Sequence, residues 1–219
     1  MTTEQQFFDA VKAGDRSQVD RLLDENPGLA NARQQSGETP VIAALYRGHG
    51  TVVEKLLRAG APIDVFAAAA LGRVDALEEN LASDPQAVHR FSYDGWTPLH
   101  LAAFFGQAEA ARRLLEAGAR LDTESTNSNR NTPLHAATAG RHSELALMLI
   151  ERGAPIGGQD GGAHTPLHIA AENGMLEVVK ALLARGADPH AVDAEDQTPM
   201  SRAAAKNHSA VIDALNLGG

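Results

Sequence analysis

The chain contains no cysteine, which excludes disulfides, zinc-thiolate sites and thiol nucleophiles and leaves the redox compartment open. Aromatic residues are scarce, nine among 219 positions. Strands draw heavily on aromatic and β-branched side chains, so an alanine-rich chain with so few rings favours helices. A basic surplus is missing too. Nineteen Lys and Arg stand against 28 Asp and Glu for a formal net charge of -9, spread as 9 basic against 15 acidic residues in 1–110 and 10 against 13 in 111–219. Without local basic patches to offset phosphate repulsion, neither nucleic acid nor an anionic membrane is expected as a partner. No run approaches the roughly 18 apolar residues of a membrane span, and Glu4 and Asp9 stand where a signal peptide needs positive charge. A soluble, cytoplasmic, monomeric protein is expected.

What is present is repetition. Thr-Pro recurs at Thr39-Pro40, Thr97-Pro98, Thr132-Pro133, Thr165-Pro166 and Thr198-Pro199, and three copies extend to Thr-Pro-Leu-His, ending at His100, His135 and His168. The spacings are 58, 35, 33 and 33. Ala68-Ala69 and Gly72 match Ala102-Ala103 and Gly106, so the long gap splits into 24 and 34 with a hidden unit starting at Ile63-Asp64. Gly14 aligns in the same way with a first unit beginning near Gln5. Seven units therefore start near 5, 39, 63, 97, 132, 165 and 198.

Each unit reads as two helices. Thr caps the first, and Pro at its first position costs no hydrogen bond. Small pairs such as Ala102-Ala103 and Ala170-Ala171 let neighbouring helices approach, and Gly106 or Gly174 ends the element. The second helix carries apolar pairs four apart, such as Val52-Val53 with Leu56-Leu57 and Val178-Val179 with Leu182-Leu183, which make one wide apolar stripe. Gly60, Gly118, Gly153 and Gly186 stop it at a common place, and Asn26-Pro27 and Asp84-Pro85 stop it in units one and three.

Thr-Pro-Leu-His, a small pair, a glycine, a Leu-Leu helix and Gly186-Ala187-Asp188 together resemble the ankyrin repeat, and the resemblance covers nearly the whole chain. It implies an all-α repeat solenoid of stacked antiparallel helix pairs joined by β-hairpin fingers, with the first helices and the fingers lining a concave binding face. It also implies a structural role for the histidines, bonding finger to helix. Gln18 in unit one and Ser201 and Asn216 in unit seven put polar residues on the end faces, as capping units would, and point to a complete array.

Two irregularities stand out. Unit two runs from Gly60-Ala61-Pro62 straight into the helix of unit three, with no room for a finger, and Asn80 falls on the apolar stripe of unit three. Unit five is preceded by a long polar finger, Thr123 to Asn131, with two extra residues, which reads as the most mobile loop.

Catalytic and metal chemistry find little support. Histidines at one position of successive units are spaced by the helix stacking distance of roughly 8 to 10 Å and cannot converge on one ion. His164 precedes the helix cap and makes no helical metal face with His168. Gly157-Gly158 and Gly161-Gly162 lack the lysine and the preceding strand of a phosphate loop. No nucleophile elbow, zincin helix or kinase motif occurs, so neither enzymatic activity nor a cofactor is expected.

The resemblance implies which positions meet a partner: six, four, three and one before the motif threonine, and seven and eight after it. For Thr97 these are Phe91, Tyr93, Asp94, Trp96, Phe104 and Phe105; for Thr39 they are Arg33, Gln35, Ser36, Glu38, Tyr46 and Arg47. Five of the nine aromatics fall in the Thr97 set. Rings and arginines are the residues enriched at binding hot spots. The expected site is accordingly a protein- or peptide-binding face on units two to four, built from Arg33, Glu38, Tyr46, Arg47, Phe91, Tyr93, Asp94, Trp96, Phe104 and Phe105, with Phe91 and one of Phe104 and Phe105 packed away. A second reading, from a different class, is a small-molecule pocket where the finger is missing, beside Tyr46, Phe66, Phe91, Trp96 and Phe104 with Glu38, Arg47, Asp94 and His100 nearby, conceived as a site that could also turn a substrate over.

Overall fold

The computed structural model describes residues 2–217. Among them are fourteen α-helices in seven antiparallel pairs: α1 (Thr3–Ala13) with α2 (Arg16–Glu25), α3 (Pro40–Tyr46) with α4 (Gly50–Arg58), α5 (Val65–Leu71) with α6 (Val74–Ser83), α7 (Pro98–Phe104) with α8 (Ala108–Glu116), α9 (Pro133–Ala139) with α10 (Ser143–Glu151), α11 (Pro166–Glu172) with α12 (Leu176–Ala184), and α13 (Pro199–Ala205) with α14 (Ser209–Leu217). Thr39, Thr97, Thr132, Thr165 and Thr198 are the caps of five first helices, each followed by Pro at the opening position. In the hidden unit Asp64, one residue later than the Ile63 start, accepts the Ala67 N–H. The first helix of unit one begins earlier than Gln5, at Thr3, capped by Thr2. In this helix Phe7 and Phe8 are buried at the places that Leu99 and His100 hold in unit four.

The small pairs and the stripes make one continuous core. Ala43-Ala44, Ala68-Ala69, Ala102-Ala103, Ala136-Ala137 and Ala170-Ala171 are buried between first helices, and Leu56, Leu77, Leu114, Leu149 and Leu182 are buried beneath the second ones. Where Asn-Pro and Asp-Pro stop α2 and α6, short 3-10 turns follow, Pro27–Asn31 and Pro85–His89.

The fingers differ from the expected β-hairpins. Among the described residues no strand forms. Five fingers are tight turns, each closed by a backbone bond of the same kind, Gln34 N–H to Glu38 O, Ser92 to Trp96, Ser125 to Asn131, Asp160 to His164, and Asp193 to Gln197, with a second backbone bond inside each turn. Three residues between the closing groups, or five in unit five, leave no length for a ladder. Neighbouring fingers are stitched by Thr126 N–H to Gly95 O, Gly161 N–H to Asn129 O and Ala194 N–H to Gly162 O.

Unit three has no finger: α4 ends at Arg58 and α5 starts at Val65. Asn80 compensates, because its side-chain amide donates to Ile63 O at 3.0 Å and to Ala76 O at 2.7 Å, fastening the short connection to α6. A polar residue on the stripe thus satisfies a carbonyl that a finger would otherwise have engaged.

The long finger of unit five is not a loose loop. Asn127 donates to Asp94 O at 2.8 Å, the Ser125 hydroxyl donates to Asn131 at 2.7 Å, and Arg130 pairs with Glu124 at 2.9 Å. Ser125 and Asn131 are buried. Its polarity, which reads in sequence as mobility, is the material of its own hydrogen-bond network.

A second ladder of side chains escaped the sequence reading. His49, Gln107 and His208, one residue before their second helices, reach back to the unit before and bond Lys12 O at 3.0 Å, Ala70 O at 3.3 Å and Glu172 O at 3.0 Å. Their rings or amides lie against Gly14, Gly72 and Gly174, where a Cβ would come within 2.3 to 2.7 Å of them, and His142 lies the same way against Gly106 at 2.3 Å. These glycines also hold φ between +67° and +73°, so both the space and the backbone require glycine. Arg141 adopts φ +62° at the equivalent place, and the next unit offers it Met175 in place of a histidine. The signal was in the sequence, since His49, Gln107, His142, Met175 and His208 keep the spacings of the Thr-Pro pairs.

Candidate partner-binding face

With no finger between them, the fingers of units two and four meet. Tyr93 lies so close to Gly37 that a Cβ on the glycine would come within 3.2 Å of the tyrosine Cβ. The Tyr93 hydroxyl donates to Glu38 Oε1 at 3.2 Å, and Glu38 pairs through its other oxygen with Lys12 Nζ at 2.7 Å. Below this bridge the Tyr46 hydroxyl donates to Asp94 Oδ2 at 2.5 Å. The Ser92 hydroxyl donates to Asp94 Oδ1 and accepts the Trp96 N–H at 3.1 Å. Burial, and after it Asp94, raises the Tyr46 phenol far above its ordinary value. Burial followed by Glu38 and Asp94 does the same for Tyr93. Both hydroxyls are therefore fixed donors.

The rings of units two and four form one cluster. Tyr46 lies 6.5 Å from Trp96, 6.4 Å from Phe104 and 5.6 Å from Phe105, while Trp96 meets Phe104 edge to face at 5.1 Å and Phe105 meets Phe104 at 5.2 Å. These are ordinary aromatic packing distances. Trp96 is only 8% exposed, which corrects its assignment to the contact surface: it is core, covered by the Tyr46 that the missing finger lets through. Tyr46, Phe104 and Phe105 are half-buried, as are Asp94 and Glu38. Phe91, expected to pack, is instead 43% exposed, and Tyr93 is 38% exposed. Arg33 and Arg47 are exposed.

Between the two fingers lies an open recess of about 270 Å3, walled by Ile42, Phe66, Phe91, Tyr93 and Leu101, with Arg33, Asp64, Ser92 and Asp94 at its polar edges. Arg33 and Asp64 pair at 3.3 Å. Of the groups expected around such a recess, Phe66, Phe91 and Asp94 line it; Tyr46, Trp96, Phe104, Glu38, Arg47 and His100 do not.

The histidine ladder holds fingers to helices. His100 Nδ1 accepts from Thr97 N–H at 3.3 Å and from the Thr97 hydroxyl at 2.7 Å, so the proton is on Nε2, which donates to Asn131 O in the next finger at 2.8 Å. His135 repeats this toward Gly158 and His164 carbonyls, and His168 toward Gln197 O at 3.1 Å. Burial pushes His100 down to about 4 and lowers His135 and His168 as well. His164 stands apart from that ladder and pairs with Asp160 at 3.0 Å. Among the described residues no group of three or more His, Asp or Glu is arranged to hold a metal, and no helix is long and apolar enough to cross a membrane.

Comparison with known proteins agrees with this architecture. Two family models, described as ankyrin repeats (3 copies) and ankyrin repeats (many copies), match residues 65–160 and 167–215. The E3 ubiquitin-protein ligase XB3 of Oryza sativa subsp. japonica is 36% identical over 110 residues, covering 50% of this chain and 23% of that protein. The Neurogenic locus Notch protein of Drosophila melanogaster is 33% identical over 124 residues, 57% of this chain and 4% of that one. Alpha-latrocrustotoxin-Lt1a of Latrodectus tredecimguttatus is 28% identical over 138 residues, 63% and 8% respectively. The chain spans less than a quarter of each of these relatives, and what is shared is the array of repeats. From capped helix pairs, the histidine ladder and the two family matches together, the chain is a member of the ankyrin repeat family.

Proposed function

We propose that the concave face of units two to four holds a protein or peptide, with Tyr93, Phe91, Arg33 and Arg47 as the surface that meets it and Tyr46, Trp96, Phe104 and Phe105 as the packed backing. Ankyrin repeats are generally protein-interaction scaffolds and typically non-catalytic, which supports the class of function. The observation that carries the location is the pair of exposed rings, Phe91 and Tyr93, at the mouth of the recess. Exposed aromatics beside a concavity are the usual anatomy of a binding hot spot. Shape argues against the small-molecule reading, since the recess is open to solvent whereas a ligand pocket encloses most of its ligand's surface.

The test is to pan a displayed random-peptide library against the wild-type protein and retitrate the recovered peptides against Tyr93→Ala, Phe91→Ala and Glu144→Gln. Loss of about 2 kcal/mol or more of affinity on the first two, with the third indifferent, is expected. Peptides that ignore both ring substitutions would place the binding face elsewhere.

A further inference from the structure

Of the three carboxylates where the fingers of units two and four meet, Glu38, Asp64 and Asp94, two have a cation. Lys12 takes Glu38 and Arg33 takes Asp64, whereas Asp94 enters no ion pair among the described residues. Its two oxygens accept from the Ser92 and Tyr46 hydroxyls, both neutral donors. The carboxylate is thereby held in one orientation, its charge uncompensated and a lone pair left on each oxygen. It lines the recess with three aromatic side chains, Phe66, Phe91 and Tyr93, and the apolar Ile42 and Leu101. With Asp64 and Asp94 set against Arg33, the walls carry one net negative charge within a chain of formal charge -9.

An apolar slot lined by rings, with a preoriented anion lacking its counter-ion, is complementary to an alkyl stem ending in a positive charge. We infer that the recess is a pocket for one cationic side chain, an arginine or a lysine, presented by the polypeptide that binds this face. The inference rests on the protein-binding reading above. The stem lies along Phe66, Phe91 and Ile42, and the charge meets Asp94. The polypeptide source follows from the shape: the recess is small and open, and the exposed Phe91 and Tyr93 flank a path for the chain that carries the side chain.

The test uses four fluorescein-labelled mixtures of random peptides, alike except for a fixed central arginine, lysine, norleucine or glutamate. Each is titrated by anisotropy into the wild-type protein, Asp94→Asn, Phe91→Ala and Glu144→Gln. The arginine and lysine mixtures should bind about tenfold tighter or more than norleucine, the scale of a desolvated charge contact. Asp94→Asn should erase that preference in a protein that still folds, at a lowered melting temperature, because the amide keeps an acceptor for only one of the Tyr46 and Ser92 hydroxyls. Phe91→Ala should weaken the cationic mixtures, and Glu144→Gln, a side chain 86% exposed on α10, should change nothing. If Asp94→Asn unfolds, Phe91→Ala decides, and cationic binding at full strength there overturns the pocket. Equal binding of norleucine and arginine by the wild type, or a preference that survives in a folded Asp94→Asn, overturns the pocket and leaves the protein-binding reading standing. Failure of all four mixtures on the wild type brings down both. Agmatine alone binding as tightly as the arginine mixture would make this a site for a free cation and overturn the polypeptide source.

Discussion

Tyr46 at the end of α3 donates its hydroxyl to Asp94, 48 positions further along and two units away. Stacked repeats ordinarily touch only their neighbours. Here units two and four are joined directly, over the top of unit three, by Tyr46 to Asp94 and by Tyr93 to Glu38. Tyr46→Phe removes one donor from a half-buried carboxylate and should cost about 1.5 to 3 kcal/mol, the range for a hydrogen bond to a charged group. Urea unfolding followed by circular dichroism measures it; a loss within error would mean that the bond contributes nothing.

The same two phenols give an alkaline signature. Their native pKa values are raised by burial and by Asp94 and Glu38, whereas the unfolded chain ionises near ~10. The resulting stability is intact below that value and lost as pH rises past it. Because Tyr46 and Tyr93 are all the tyrosine present, ultraviolet absorbance should show no tyrosinate until the helical signal is lost. A tyrosinate step near pH 10 in the folded protein would contradict this.

At the acid end the sign reverses. His100 is lowered to about 4 and His135 and His168 are lowered too, so between about 6.5 and about 4 the unfolded state binds protons that the folded ladder refuses. Stability should be full above pH 6.5 and fall through that window. Melting temperature against pH, with the His100 imidazole followed by NMR, checks both points; a His100 that titrates near 6.5 in the folded protein would show the ladder to be wet. Chelator should leave the melting temperature unchanged at neutral pH, since these ring nitrogens are already engaged by protein groups. Stoichiometric zinc and a chelator-induced drop of several degrees would refute that.

Trp96→Ala should destabilise by about 3 to 5 kcal/mol, as truncation of a buried large ring does, while Tyr93→Ala should mainly weaken partner binding. Thermal melts of the two variants separate the cases. A folded, fully stable Trp96→Ala would return that side chain to the surface.

The sequence was legible wherever one unit explains itself. The caps, the Leu-Leu stripes, the stop signals and the Thr-Pro-Leu-His ladder depend only on a unit and its neighbour, and they appear where the spacing puts them. The surface position expected for Trp96 rests on a positional pattern that assumes a finger on each side, and the burial expected for Phe91 on the usual packing of rings between finger and helix. With unit three lacking its finger, Tyr46 comes through to cover Trp96 and leaves Phe91 at the mouth of a recess. The bonding of the polar finger of unit five was hidden for a related reason: its asparagines and serine bond across to Asp94 and within the turn, and no local propensity reports those partners. The contact of Gly72 with Gln107 is legible in its period but not in its residue type, which changes from histidine to glutamine.

Pulled from its two ends, a uniform solenoid would peel one repeat at a time in near-equal steps. This chain should not. Extension across unit three must first shear Tyr46 from Asp94 and Tyr93 from Glu38, so units two to four should resist as one block and yield in a single larger event. The segment that is shortest in sequence would then give the longest step of the force trace.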